Sequence, residues 1–172
     1  MNKQQTISKP VSLKGVGIHS GNEVNLTFKP ANEDFGYAFC RTDLPGKPII
    51  EADVNYVVST ERGTTLEKNG VNIQTSEHVL AALTGLEIDN VLIEIDASEP
   101  PIMDGSSKFF VEALIDAGIE EQSKDRNEYV VKEIISYYDE KSGSDITVLP
   151  SDSYEVTAMV DFGTKILGTQ NA

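Results

Sequence analysis

Residues 75–83 have the sequence TSEHVLAAL, which predicts the start of an α-helix near the middle of this 172-residue chain. Thr75 or Ser76 can cap the amino end of the helix, and Gly85 suits the left-handed position that follows a carboxyl end. Three apolar residues recur at helical spacing and are expected to form the buried face: Val79, Leu80 and Leu83.

The segments on both sides of this helix predict an α+β fold. Residues 64–66 and 71–73 are expected to pair as a hairpin, because Asn69-Gly70 between them tolerates the positive φ of a tight turn. Residues 90–96 alternate in polarity and predict a strand, and residues 107–117 predict a second helix. We expect both helices to lie side by side on one face of an antiparallel or mixed sheet, because their apolar stripes have no other partner.

The second half of the chain lacks a helical pattern. Residues 120–128 are polar without periodicity and are predicted to form a linker. Only strands are predicted after it: 129–138, 146–149 and 154–162. Strands without covering helices cannot bury an apolar face. The sequence therefore predicts a first α+β domain at residues 1–124 and, at residues 127–172, the opening strands of an incomplete second domain.

The composition excludes several classes of function. The 14 Lys and Arg residues face 28 Asp and Glu residues, and the resulting net charge of −14 argues against a nucleic-acid partner. No stretch approaches the ~18 apolar residues of a membrane span, so no stable membrane insertion is expected. Cys40 is the single cysteine, which excludes an internal disulfide and favours a reducing, cytoplasmic location.

The pair Glu77-His78 is the first candidate site. An imidazole can hold a metal ion, and a neighbouring carboxylate can take a proton from water on that ion, as metal-dependent hydrolases require. Consecutive helix positions diverge by about 100°, so both side chains cannot easily bind one ion. A catalytic zinc needs further protein ligands, and His19 is the only other histidine. Taken alone, the pair is better explained by a plain helix start, where Glu complements the helix dipole and His is solvated.

Two further segments draw attention. Residues 15–21, GVGIHSG, do not match a dinucleotide-binding loop or a nucleophile elbow, because the third glycine and the serine each stand one position late. A glycine-rich turn that exposes His19 and Ser20 remains. Residues 100–106, PPIMDGS, form a rigid connection into the second helix, and this structural role accounts for them fully.

Taken in order, these three segments resemble the zinc-dependent UDP-3-O-acyl-N-acetylglucosamine deacetylases of lipid A biosynthesis. The resemblance implies two similar domains, each a sheet layered with a pair of helices, and an active site between them. It also implies a small-molecule substrate, an acylated UDP-sugar that loses the acetate of its 2-acetamido group.

The resemblance further implies roles for individual residues. His78 is similar to the family's zinc ligand from the first domain, and Glu77 to its general base. His19 and Ile18 are similar to positions next to the substrate. The family's other two ligands, in an H-K-x-x-D segment, and its general-acid histidine belong to the second domain, and this sequence contains no such segment.

Three hypotheses follow from these observations. The first is an amino-terminal part of such a deacetylase that lacks a complete site, and the second is a non-catalytic interaction or regulatory module with the same fold. A self-sufficient hydrolase that uses Ser20 or Cys40 is the weakest, because neither has a base in recognisable spacing. Acyl-chain preference and oligomeric state do not follow from the sequence.

Overall fold

The computed structural model describes residues 2–172, and the chain divides into two compact units, Met1–Arg126 and Asn127–Ala172. The helices of the first unit are α1 (Glu77–Gly85) and α2 (Lys108–Ala117), with a 3₁₀ turn at Val54–Tyr56. Its strands are β1 (Lys3–Ile7), β2 (Val11–Val16), β3 (Glu23–Pro30), β4 (Tyr37–Arg41), β5 (Ile49–Glu51), β6 (Val57–Ser59), β7 (Thr65–Lys68), β8 (Val71–Ile73), β9 (Val91–Ile95) and β10 (Ile119–Asp125).

A five-stranded sheet in the order β2-β3-β9-β4-β5 forms the centre of the first unit. Neighbouring strands are antiparallel except for β4 and β9, which are parallel. Phe28 on β3 and Phe39 on β4 both pair with Ile93 on β9, so the three side chains lie on the same face. All three side chains are completely buried, which identifies this face as the core side of the sheet.

Both helices cover this buried face. Phe110 on α2 meets Phe28 edge-to-face, with ring centroids 6.3 Å apart. Three residues of each helix are buried in the shared core: Val79, Ala82 and Leu83 of α1, and Phe110, Leu114 and Ala117 of α2. Burying each large apolar side chain is worth about 1.5–3 kcal/mol. The predicted α+β class and the placement of both helices on one sheet face are confirmed.

A small sheet in the order β6-β7-β8 leads into α1. Its β7–β8 hairpin turns at Asn69 and Gly70, with φ values of 54° and 76°, as a two-residue turn of type I′ requires. The predicted hairpin is confirmed. Its last strand ends at Ile73, and only three residues separate it from the first residue of α1, so this sheet positions the helix start.

The predicted linker at residues 120–128 is wrong over most of its length. Residues Ile119–Asp125 form β10, which pairs antiparallel with β1 from Ile7↔Ile119 to Lys3↔Asp125. Most side chains of β10 are exposed, so burial leaves no alternating pattern in the sequence. Gln122 is the partly buried exception, and it hydrogen-bonds to Asn90 and Ala31.

The ends of α1 also differ from the expectation. Ser76 is the cap residue, but its hydroxyl donates to the carbonyl of Thr64 instead of accepting from the first turn. Gly85 is the last helical residue, and Glu87, with φ 56°, takes the left-handed position predicted for the glycine. A carbonyl of the preceding loop therefore competes successfully for the Ser76 hydroxyl.

The second unit consists of two short hairpins. Its strands are β11 (Ile135–Asp139), β12 (Ser144–Val148), β13 (Met159–Asp161) and β14 (Thr169–Asn171). The strands predicted at 129–138 and 154–162 are therefore shorter than expected. Nearly all side chains in the unit are exposed, including Tyr154 at 86% and Val156 at 67%. Apolar alternation without a covering layer has not produced a buried face here.

Candidate functional site

Glu77 and His78 lie side by side at the start of α1. Oε1 of Glu77 is 3.7 Å from Nε2 of His78, and the two side chains are 39% and 30% exposed. Oε2 of Glu77 accepts a hydrogen bond from the backbone N–H of Thr64 at 2.8 Å. One carboxylate oxygen is thus fixed by the protein backbone, while the other stays next to the imidazole and within reach of solvent.

Both backbone groups of Thr64 form hydrogen bonds with residues at the start of α1. Its N–H holds Glu77, and its carbonyl accepts from the N–H and the hydroxyl of Ser76 at 3.2 and 3.0 Å. Gly63 allows this close approach, since a Cβ there would lie 3.3 Å from Oγ1 of Thr75 and 3.4 Å from Oε1 of Glu77. The loop before β7 therefore orients the Glu77 carboxylate.

Thr75, directly before the helix, has a strained backbone. Its φ is 52°, in the left-handed region that a β-branched residue rarely occupies, and only 6% of the residue is exposed. Such a conformation costs of order 1–3 kcal/mol and persists only where its surroundings enforce it. Its hydroxyl lies 3.4 Å from Oε1 of Glu99, which is a long hydrogen bond.

The glycine-rich segment forms a closed turn between β2 and β3. The N–H of Gly17 donates to the carbonyl of Asn22, and the N–H of Gly21 donates to the carbonyl of Gly17, each at 3.0 Å. The side chains of Ile18 and His19 are exposed on this turn, Ile18 by 58%. The turn thus presents both side chains to solvent, as the sequence predicted for His19.

Glu99 connects this turn to the helix start, and sequence reasoning missed it. Both oxygens of its carboxylate accept from the turn: the N–H of His19 lies 3.0 Å from Oε1 and the N–H of Ser20 lies 2.9 Å from Oε2. The only sequence signal is an acidic residue between an apolar strand and Pro100-Pro101. The donors are about 80 positions away, so the signal does not identify them.

Glu99 is 1% exposed, and its surroundings keep it charged. Burial by itself raises the pKa of this carboxyl group. The hydrogen bonds from the backbone N–H groups of His19 and Ser20 and from the Ser20 side chain, with the electrostatic effect of His19, together outweigh burial and lower the pKa below its ordinary value. A site that offers several hydrogen-bond donors to a buried carboxyl group favours the charged carboxylate form.

The segment at residues 100–106 attaches to the edge of the central sheet. The N–H of Ile102 donates to the carbonyl of Val16 at 3.0 Å, and a Cβ on Gly15 would lie 2.8 Å from Cβ of Pro101. After this segment the hydroxyl of Ser107 donates to the carbonyl of His78 at 2.9 Å. The start of α2 is thereby joined to the start of α1.

The metal-binding capacity of the described chain is limited. Within residues 2–172, no group of three or more His, Cys, Asp or Glu side chains is arranged to hold an ion. Of the groups that a catalytic metal centre needs, His78 could supply one imidazole ligand and Glu77 an adjacent base. These two side chains are therefore a partial fit to a catalytic zinc centre, which holds three protein ligands.

Cys40 is unsuited to nucleophilic catalysis. It is 5% exposed on β4, and its thiol donates to the carbonyl of Lys47 at 3.7 Å. Burial raises the pKa of the thiol, which disfavours the reactive thiolate.

Among residues 2–172, no helix is long and apolar enough to cross a membrane.

Comparison with known proteins gives matches over nearly the whole chain. Residues 4–172 match the family model described as LpxC: UDP-3-O-acyl N-acetylglycosamine deacetylase. The chain is 46% identical over 169 residues to the bifunctional enzyme LpxC/FabZ of Chlorobaculum tepidum, covering 98% of this chain and 36% of that protein. It is 45% identical over 164 residues to the UDP-3-O-acyl-N-acetylglucosamine deacetylase of Hahella chejuensis, covering 94% of this chain and 53% of that protein. The chain thus spans between about a third and about half of these relatives' lengths.

Proposed function

Because this chain belongs to the UDP-3-O-acyl N-acetylglycosamine deacetylase family, we propose that it supplies the amino-terminal part of the active site of a zinc-dependent deacetylase. The substrate in this proposal is an acylated UDP-N-acetylglucosamine, and the reaction belongs to lipid A biosynthesis. The observation that supports the proposal is the Glu77–His78 pair, with one carboxylate oxygen held by Thr64 and the other 3.7 Å from the imidazole.

In this proposal His78 is one zinc ligand. A bound zinc ion would polarise the amide carbonyl and lower the pKa of water. The further zinc ligands would come from outside these 172 residues. They would belong to a region that corresponds to the part of the relatives that this chain does not cover. We place the protein in the reducing cytoplasm, which the single unpaired Cys40 supports.

Glu77 is the general base. The N–H of Thr64 occupies Oε2, so Oε1, next to His78, is the oxygen that accepts a proton from the attacking water. The water oxygen bonds to the acetamido carbon and the carbon–nitrogen bond breaks. The leaving nitrogen takes a proton from a general acid outside these 172 residues, and Glu77 then releases the proton that it took from water, which restores both groups. The products are acetate and the free amine of the sugar. His19 and Ile18, exposed on the turn, are the proposed substrate contacts.

The proposal is tested in a chimera that joins residues 1–172 to the carboxy-terminal remainder of the Hahella chejuensis relative. Acetate release from the acylated UDP-sugar and zinc content are measured together. His78→Ala should lower both quantities, because it removes a ligand. Glu77→Gln should retain zinc and lower turnover by roughly 10²–10⁴, the usual contribution of a general base.

Glu112→Gln is the matched control, since Glu112 is an exposed carboxylate on α2 that faces Lys108 at 3.9 Å. It should leave turnover unchanged. Near-normal turnover in Glu77→Gln would overturn the assignment of the base. A folded, zinc-loaded chimera that releases no acetate would favour the non-catalytic module instead.

A further inference from the structure

Glu99 lies between two segments of the proposed site. On one side, the N–H groups of His19 and Ser20 donate to its two carboxylate oxygens. On the other side, the hydroxyl of Thr75 lies 3.4 Å from Oε1. The adjoining backbone reinforces this second contact, because the N–H of Gln74 donates to the carbonyl of Ser98 at 2.8 Å. One side chain thus joins the exposed turn to the residues that precede α1.

The turn is shaped to admit this carboxylate. A Cβ on Gly17 would lie 2.4 Å from Oε2 of Glu99 and 2.5 Å from Oγ of Ser20, closer than nonbonded atoms approach. Gly21, in the same turn, has no atom within 4 Å of its Cβ position. A side chain at position 17 would therefore displace the Glu99 carboxylate and the Ser20 hydroxyl, whereas one at position 21 would displace neither.

We propose that Glu99 is the positioning residue of the site, which holds the His19 turn in place relative to Glu77 and His78. Because Glu99 is only 1% exposed, we infer that it acts through His19 and not by direct contact with the substrate. A carboxylate suits this role because its two oxygens accept from several donors at once, and it has no hydrogen-bond donor of its own. The catalytic part of this inference rests on the proposed function.

Amide hydrogen exchange of the 172-residue chain measures the structural part without any activity. The N–H groups of His19 and Ser20 should be protected in the wild-type chain although they lie in a turn. In Glu99→Gln the amide presents one acceptor and one donor. The N–H of His19 lies 3.0 and 3.2 Å from the two carboxylate oxygens, so it loses one of its two acceptors whichever way the amide is turned. Its exchange should become roughly ten- to hundredfold faster, as expected for a lost hydrogen bond to a charged group.

Two controls separate this effect from general loosening. Glu94→Gln removes a carboxylate that pairs with Lys29 at 2.8 Å on the open face of the sheet, and it should leave both amides unchanged. The amide of Ile93 in the core should stay protected in every variant. Exchange of His19 and Ser20 at the rate of an open coil in the wild-type chain would overturn the proposal, and that measurement requires no variant.

Gly17→Ala provides a second route that keeps the Glu99 charge. Its methyl group should displace the carboxylate and accelerate exchange at His19 and Ser20. Gly21→Ala should not do so, although it strains the same turn, because its Cβ meets no atom. Equal acceleration in the two glycine variants would contradict a specific role for Glu99.

The catalytic part is measured in the chimera with His19→Ala, Glu99→Gln and the double variant. If Glu99 acts through His19, both single variants should change the same parameter, KM or kcat. The double variant should then be no worse than the more impaired single variant. Losses that multiply would show that Glu99 acts independently and would overturn the proposal. A folded, zinc-loaded wild-type chimera without activity would refute the proposed function, while the exchange data would still decide whether Glu99 holds the turn.

Discussion

Thr64 and Glu77 are joined by a hydrogen bond from a backbone N–H to a carboxylate oxygen, 2.8 Å long, across 13 positions of sequence. Backbone donors hold a carboxylate more rigidly than side-chain donors, because they add no rotatable bonds. Ser76 reinforces this contact, since its N–H and hydroxyl both donate to the carbonyl of Thr64. The orientation of Glu77 therefore depends on the loop before β7 as well as on α1.

Ser76→Ala should lower the free energy of unfolding by about 1 kcal/mol, because it removes one hydrogen bond of a completely buried residue. Urea unfolding of the 172-residue chain would measure the change. Ser12→Ala is the control, since that hydroxyl pairs with Thr27 on the exposed face and should matter by less than about 0.5 kcal/mol. Equal losses of unfolding free energy in both variants would contradict a stabilising role for the hydrogen bond from the Ser76 hydroxyl to the Thr64 carbonyl.

Leu114→Ala should lower the free energy of unfolding by about 2–5 kcal/mol, because Leu114 is completely buried between α2 and the sheet. Its neighbour Ile115 is 57% exposed, and Ile115→Ala should change stability by no more than about 0.5 kcal/mol. Thermal or urea unfolding would show the difference. Similar losses at both positions would mean that α2 does not bury a single face.

Gln122→Ala tests whether β10 belongs to the first unit. The Gln122 side chain accepts from Nδ2 of Asn90 at 2.7 Å and donates to the carbonyl of Ala31 at 3.0 Å. Asn90 is 1% exposed, so loss of this partner should cost about 1–3 kcal/mol in the free energy of unfolding. Glu121 lies on the same strand and is exposed, so Glu121→Ala should leave the free energy of unfolding nearly unchanged. If residues 119–125 were instead a flexible linker, neither substitution would change it.

Local signals allowed some of these elements to be predicted from sequence. Asn69-Gly70 determines its hairpin turn with two residues, and the apolar spacing of α1 and α2 identifies both helices. β10 was missed because its partner, β1, is more than a hundred positions away and its exposed side chains leave no period. Nonlocal pairing of polar strands has no local pattern to detect.

The candidate site shows the same division. Glu77 and His78 are adjacent in sequence, so their contact could be expected from the pair itself. The role of Glu99 could not, because a buried carboxylate is stable only where donors converge, and those donors belong to residues 19 and 20. The chemistry of a residue can be predicted from its type, but the partners that tune it come from the fold.

Residues 127–172 should open before the central sheet does. Their hairpins expose large apolar side chains such as Tyr137 at 64% and Ile146 at 61%, and few buried contacts oppose opening. Native-state hydrogen exchange should show β11 and β12 exchanging well before β9, whose residues Val91, Ile93 and Ile95 are fully buried. Equal protection of both regions would contradict the view that the second unit lacks a covering layer.

The contribution of Glu99 to stability should disappear in acid. Burial raises the pKa of its carboxyl group, but the hydrogen bonds from His19 and Ser20 and the electrostatic effect of His19 together outweigh burial, so the pKa in the folded chain lies below the ordinary value of 4.5. The unfolded chain therefore binds the proton more readily, and the carboxylate stabilises the fold fully only above about pH 4.5. This stabilisation is lost as the pH falls through the folded pKa. The difference in unfolding free energy between wild type and Glu99→Gln should thus be largest near neutral pH and shrink steadily below about pH 4.5. Urea unfolding at several pH values, with Glu94→Gln as the charge-matched control, would measure it, and a difference that stays constant down to about pH 3 would show that the charge on Glu99 does not stabilise the turn.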